Sequence, residues 1–196
     1  MFGHTARVWD CQFVGQYLVS ISEDSTCRVW KNALLQEDVE DEDNENGNDC
    51  IACWEGHASK NVWSCAINPE HNVVATGGQD SGIRLWSFAS IKNSRIDSEE
   101  DLNSFPLPAE RGKDYVRNFA MVKDQMLIGA TTEGYLLKCD KSKNVWEEIQ
   151  HDPSYKNYAI MKSSKCGRVV VIGNIYGDLI VISPENKFEV SMLCTV

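Results

Sequence analysis

The stretch Val73-Val74-Ala75-Thr76-Gly77-Gly78-Gln79-Asp80-Ser81-Gly82-Ile83-Arg84-Leu85-Trp86 decides how this chain is read, because its shape recurs at the same length three more times. The relatives run from Tyr17 to Trp30, Met126 to Cys139 and Val169 to Ile182. In each, an apolar run enters a polar or glycine-containing turn and a second apolar run leaves it, the sequence form of a tight β-hairpin. The hairpins start at residues 17, 73, 126 and 169, steps of 56, 53 and 43. Hairpins of one pattern at such steps predict an all-β repeat protein.

Working outward, each hairpin has a strand before it and another after it. Val8-Trp9-Asp10-Cys11 in the first unit becomes Val62-Trp63-Ser64-Cys65 in the second, and Tyr115–Met121 and Tyr158–Met161 hold the same place later. Cys50–Trp54, Val145–Ile149 and a weak strand near Phe188–Val190 follow hairpins one, three and four. The expected units are 1–54, 55–88, 114–150 and 157–190. Two polar insertions stretch the steps: an acidic segment, 37–49, and a segment holding Pro106 and Pro108, 89–113, read as a surface loop.

Composition sets bounds. At 196 residues and 42% hydrophobic, the chain can bury one ordinary core. It has no apolar run of about 18 residues, so no membrane partner or span is expected. The start, Met1-Phe2-Gly3-His4-Thr5-Ala6-Arg7, lacks the pattern of a secretion signal. The eight cysteines are therefore expected to be reduced, in cytosol or nucleus, and the protein to be cytoplasmic. Eight acidic residues fall within 37–49, so the rest of the chain carries only −2 of the net −10. That run is too polar to bury and reads as a disordered, solvated insertion, the functional alternative being a docking site for a basic partner.

Gly3-His4 and Glu55-Gly56-His57 open the first two units, and Trp30 and Trp86 close their hairpins. With the insertions subtracted, the steps approach the roughly 40–45 residues of a four-stranded propeller blade. The chain resembles the WD-repeat β-propeller family, although Lys31 and Ser87 stand where the family has aspartate after tryptophan. The resemblance implies a partial propeller of about four blades, each of four antiparallel strands. It also implies a buried polar chain in each well-formed blade: Trp30, Ser20, His4 and Asp24, then Trp86, Thr76, His57 and Asp80. At the same places units three and four have Gly129, Glu133 and Cys139, then Ile172, Tyr176 and Ile182, so those blades are expected to rely on apolar packing.

A histidine with an aspartate and a serine also has the make-up of an acyl-transfer triad. No strained Gly-x-Ser-x-Gly elbow presents the serine, and the same trio recurs one unit later, so a structural role is expected and no catalytic residue is assigned. Cys50-Ile51-Ala52-Cys53 has metal-ligand spacing without a second ligand pair, so no metal site is expected. Gly77-Gly78 is followed by neither lysine nor helix, so no phosphate loop and no cofactor are expected. Residues just after Gly-His and just before the turn aspartate should lie where blade loops converge on a rigid scaffold. They are Arg7, Trp9 and Glu23, then Asn61, Trp63 and Gln79, with Arg117 from unit three, and they form the candidate partner-binding face. For Trp9 and Trp63, packing between blades is the competing reading.

Gly3-His4-Thr5-Ala6-Arg7-Val8-Trp9, together with Ser81-Gly82-Ile83 after the turn aspartate, is similar to the WD-repeat adaptor subunits of the tRNA wobble-nucleotide 2′-O-methyltransferase. This narrower resemblance implies a non-enzyme. Such a subunit recruits a methyltransferase catalytic subunit and positions tRNA, while S-adenosylmethionine binds the partner. Those adaptors are far longer, with several propellers, so the chain is expected to be a fragment, as its abrupt ends at Gly3-His4 and Cys194-Thr195-Val196 also suggest. The rival class is a general WD-repeat scaffold of a ubiquitin ligase or signalling complex. If the acidic insertion is only solvated chain, deleting residues 37–49 leaves partner affinity unchanged in a pull-down titration; weakened binding would make it a docking site.

Overall fold

A computed structural model describes residues 3–31, 50–68, 73–88, 103–104, 107, 111–123, 126–140 and 145–194. Among them, sixteen strands form four antiparallel four-stranded sheets, each ordered as in the chain. The first holds β1 (Val8–Val14), β2 (Tyr17–Ser22), β3 (Thr26–Lys31) and β4 (Cys50–Glu55). The second holds β5 (Val62–Asn68), β6 (Val73–Gly78), β7 (Ile83–Ser87) and β8 (Asn103–Ser104). The third holds β9 (Val116–Met121), β10 (Leu127–Thr131), β11 (Tyr135–Asp140) and β12 (Val145–His151). The fourth holds β13 (Tyr158–Ser163), β14 (Val170–Asn174), β15 (Leu179–Ser183) and β16 (Glu189–Cys194). Each sheet is a meander, with every strand beside the one before it in the chain.

Burial gives the sheets their radial order. The middle strands are apolar over most of their length, and all five residues of β10 are buried, since they are covered on both faces. The outer strand β12 reads Val-Trp-Glu-Glu-Ile-Gln-His and has no fully buried residue. Inner strands touch in the order β1, β5, β9 and β13, so the sheets stand around a common axis like blades. Lys162 on β13 reaches back to the Asp10 carboxylate on β1 at 2.8 Å. The array is an open, partial propeller. Among the described residues, apolar clusters join sheets one and two, two and three, and three and four, but not four and one. The open sides expose Phe13 on β1, and Ile160 and Leu179 on the fourth sheet.

Each wedge between blades is filled differently. Sheets one and two meet through Trp54 stacked flat on Trp86, centroids 5.4 Å apart, and Tyr17 stacked on Phe88 at 5.6 Å. Between sheets two and three, Phe119 lies over Gly77 so closely that a Cβ there would sit 2.7 Å from the ring. Sheets three and four meet through aliphatic residues, among them Ile128, Leu136, Val170 and Ile172.

Two strands differ from expectation. The fourth strand of the second sheet, β8, lies within 89–113, the segment read as a loop, and pairs with Arg84 and Leu85 on β7. Two residues are too few to show alternation; the open edge of β7 makes them a strand. The last strand, read near Phe188–Val190, is β16 and runs to Cys194. The acidic run 37–49 lies outside the described residues.

The contact between Gly77 and Phe119 yields a test of blade packing. Gly77→Ala is expected to destabilise the chain by about 1–3 kcal/mol through overpacking. Adding Phe119→Leu should recover part of that loss, a coupling read by chemical denaturation. Additive effects would show that the blades do not meet there.

Candidate partner-binding face

In the first sheet, the Trp30 indole N–H donates to Ser20 Oγ at 2.7 Å, Ser20 Oγ lies 2.8 Å from His4 Nε2, and His4 Nδ1 lies 2.9 Å from Asp24 Oδ2. The second sheet repeats this with Trp86, Thr76, His57 and Asp80 at 2.7, 2.9 and 3.0 Å. An indole can only donate, so the hydroxyl accepts from it and gives its own proton to Nε2. Nδ1–H is then left to donate to the carboxylate.

The carboxylates tie three chain segments together. Asp24 accepts N–H bonds from Thr5 in the entering loop at 2.9 Å and from Thr26 past the turn at 3.0 Å. Asp80 does the same with Ala58 and Gly82, at 2.9 and 3.1 Å. Burial pushes the Asp24 carboxyl up, but donors from Thr26, Thr5 and His4 outweigh it and hold it at about 2. Asp80 is likewise held well below the usual range: burial opposes, and His57, the Ala58 N–H and Arg84 prevail. Ser20 and Thr76 are buried with their hydroxyls engaged by indole and imidazole, so neither is presented to a substrate.

At the same end of the blades, five residues of the candidate face form one connected run. The Arg7 guanidinium lies 4.9 Å above the Trp9 ring, and the Trp9 indole donates to Asn61 Oδ1 at 3.2 Å. Asn61 Nδ2 donates to Gln79 Oε1 at 3.0 Å. The Glu23 N–H donates to the Arg7 carbonyl, and the Asn61 N–H to the Glu23 carbonyl. Trp9 is 38% exposed and bridges sheets one and two through its edge. Trp63 turns instead toward Tyr115, edge-on at 6.1 Å, and so belongs to the seam between sheets two and three. Arg117 is exposed on β9.

Two serines that sequence reasoning passed over hold neighbouring blades in place. Ser25 and Ser81 follow the turn aspartates with φ of 72° and 61°, a left-handed conformation unfavourable for a side chain. Each hydroxyl crosses to the next blade, Ser25 to the Ser59 carbonyl at 2.9 Å and Ser81 to the Asp114 carbonyl at 3.1 Å. Their recurrence one position after the aspartate was the available signal. Elsewhere, Cys50 and Cys53 lie on β4, the Cys50 thiol bonded to the Ala52 carbonyl. His71 lies outside the described residues, and His151 stacks on Tyr135 with centroids 4.0 Å apart.

A family model described as "WD domain, G-beta repeat" matches residues 1–31 and 48–87. These two stretches are WD repeats. Over 163 residues the chain is 26% identical to the tRNA (34-2'-O)-methyltransferase regulator WDR6 of Mus musculus, and 23% identical to that of Homo sapiens. These matches cover 83% of this chain and 13% of each relative, so the chain spans about an eighth of their length. It is also 28% identical over 102 residues to the WD40 repeat-containing protein HOS15 of Arabidopsis thaliana, covering 50% of this chain and 16% of that protein.

Outside the matched WD repeats, sheets three and four were expected to rely on apolar packing at the tetrad positions, and Cys139, Ile172 and Ile182 are indeed buried in apolar clusters. Each sheet also carries a polar staple at its loop end that this expectation did not include. In the third sheet the carboxylate comes from the entering loop: Asp114 Oδ1 accepts from Tyr115 N at 3.0 Å, Thr132 Oγ1 at 3.0 Å and Glu133 N at 2.9 Å. The same two segments are joined as in a WD repeat, with the acid on the opposite one. In the fourth sheet, Asn174 Oδ1 closes the turn by accepting from Tyr176 N and Asp178 N, both at 2.9 Å. Neither residue falls at the repeat's spacing, so register with the first two units could not find them.

Asp24 and Asp80 lose their protons more readily in the folded chain than in the unfolded one. Their stabilisation is therefore complete above the unfolded carboxyl value of about 3.8; the Asp24 share is lost as the pH falls through about 2, and the Asp80 share at still lower pH. The melting temperature is expected to drop across that window in a circular-dichroism series. The Asp24→Asn, Asp80→Asn double variant should melt lower at neutral pH and flatten the slope. A variant with the parent's acid profile would remove these carboxylates as its source.

Proposed function

We propose that this chain is a non-catalytic part of a WD-repeat adaptor that supports 2′-O-methylation of the tRNA wobble nucleotide. The observation that carries the reading is similarity over 163 residues, reaching past the WD repeats, to proteins named as regulators of a tRNA (34-2'-O)-methyltransferase. In this reading the propeller end bearing Arg7, Trp9, Glu23, Asn61, Trp63, Gln79 and Arg117 holds a methyltransferase catalytic subunit and presents tRNA to it. S-adenosylmethionine binds that catalytic subunit. RNA contact on an acidic chain is confined to local cations, here Arg7 and Arg117, because phosphates are repelled elsewhere. The tetrads supply rigidity, since their polar atoms are spent on one another.

A general interaction scaffold is the second reading, favoured by the similarity to a WD40 repeat protein of another name. The two separate cleanly. Affinity purification of the full-length parent is expected to recover a methyltransferase, and deleting its gene to abolish wobble 2′-O-methylation measured by mass spectrometry of tRNA nucleosides. Trp9→Ala with Arg117→Glu should reduce the recovery at least tenfold while the chain still unfolds cooperatively. Unchanged methylation in the deletion strain would leave the scaffold reading standing alone.

A further inference from the structure

The third sheet carries a cup, about 650 Å³ in volume, where the entering loop, the turn between β10 and β11, and β12 converge. Asp114 lines it and is only 2% exposed. Its Oδ1 takes the three donors described above, but Oδ2, also buried, has no hydrogen-bond partner among the described residues. A buried carboxylate oxygen without a donor is costly, and the cost is recovered when a donor arrives.

The other charges around the cup already have partners. Lys156 Nζ lies 2.8 Å from Glu133 Oε2, and Arg111 Nη2 lies 3.4 Å from Glu148 Oε2. Three carboxylates against two cations leave one negative charge, located at Asp114. The wall is firm: Tyr135 is contacted by the Arg111 guanidinium at 4.2 Å and by the His151 ring at 4.0 Å. Among the described residues, no group of three or more His, Cys, Asp or Glu is placed to hold a metal ion. A phosphate is disfavoured by the surplus negative charge. What fits is a positively charged group with N–H donors.

We propose that this cup is a binding site for one cationic side chain, arginine or lysine, of a partner polypeptide, whose N–H donates to Asp114 Oδ2. The site lies outside both WD repeats and does not depend on the adaptor reading. Its affinity comes from supplying the one missing donor, so neutralising either member of the new pair weakens it strongly.

The test titrates the full chain with N-acetyl-arginine amide, N-acetyl-lysine amide and the neutral isostere N-acetyl-citrulline amide, following the His151 and Tyr135 ring signals by NMR. The two cations are expected to give saturable shifts at millimolar concentrations, and citrulline none. Asp114→Asn keeps Oδ1 and its three bonds, and should weaken binding at least tenfold. Lys156→Met removes a like charge and should tighten binding several-fold; this variant decides the matter if Asp114→Asn fails to fold. Equal shifts with citrulline, undiminished binding to a folded Asp114→Asn, or no tightening in Lys156→Met would each overturn the assignment, as would equal shifts with adenosine monophosphate.

Discussion

A carboxylate that accepts N–H groups from two separate loops fixes those loops relative to each other, and three of the four blades are built on that constraint. In the first two, Asp24 and Asp80 sit in the turn and reach to the entering loop, with a histidine, a hydroxyl and an indole completing the chain of donors. In the third, Asp114 sits in the entering loop and reaches to the turn. The atoms that must be tied are backbone amides, which every residue supplies, so the acid is free to come from either side. The fourth sheet uses an asparagine within its own turn, and no described bond of this kind reaches its entering loop.

The staples act within a blade; the association of blades has another source. Apolar wedges between successive sheets provide the bulk, with flat indole stacking in the first, a ring over glycine in the second and aliphatic side chains in the third. Hydroxyls of Ser25 and Ser81 add direction by crossing to the next blade from a strained backbone. The surrounding turn holds that conformation, and the bond from each hydroxyl to the neighbouring blade offsets part of its cost. The result is a rigid set of loop ends at one end of the blades, where Arg7, Trp9, Asn61 and Gln79 are linked by side-chain contacts into a prepared surface. Rigidity of this kind lowers the ordering cost of binding a partner.

The third blade combines departure from the repeat with a change in surface chemistry. The Arg111 guanidinium, in the loop entering this blade, lies on the Tyr135 ring. With no tryptophan at Cys139 and no hydroxyl at Gly129, the interior no longer needs polar groups. The charged residues gather at the loop end instead, where they leave one carboxylate oxygen without a donor.

The sequence by itself determined the repeat, the hairpins and the two tetrads, because hairpin alternation and fixed spacing are local properties and His4, Ser20, Asp24 and Trp30 recur in step with His57, Thr76, Asp80 and Trp86. Tertiary structure alone decided what depends on neighbours distant in the chain. It made Asn103–Ser104 a strand by offering it the edge of β7, and it set Trp63 against Tyr115 while Trp9 went to Asn61. It also gave Asp114 the capping role. An acid that approaches its amides from the opposite loop satisfies the same hydrogen bonds at a different sequence position, so spacing carries no trace of it.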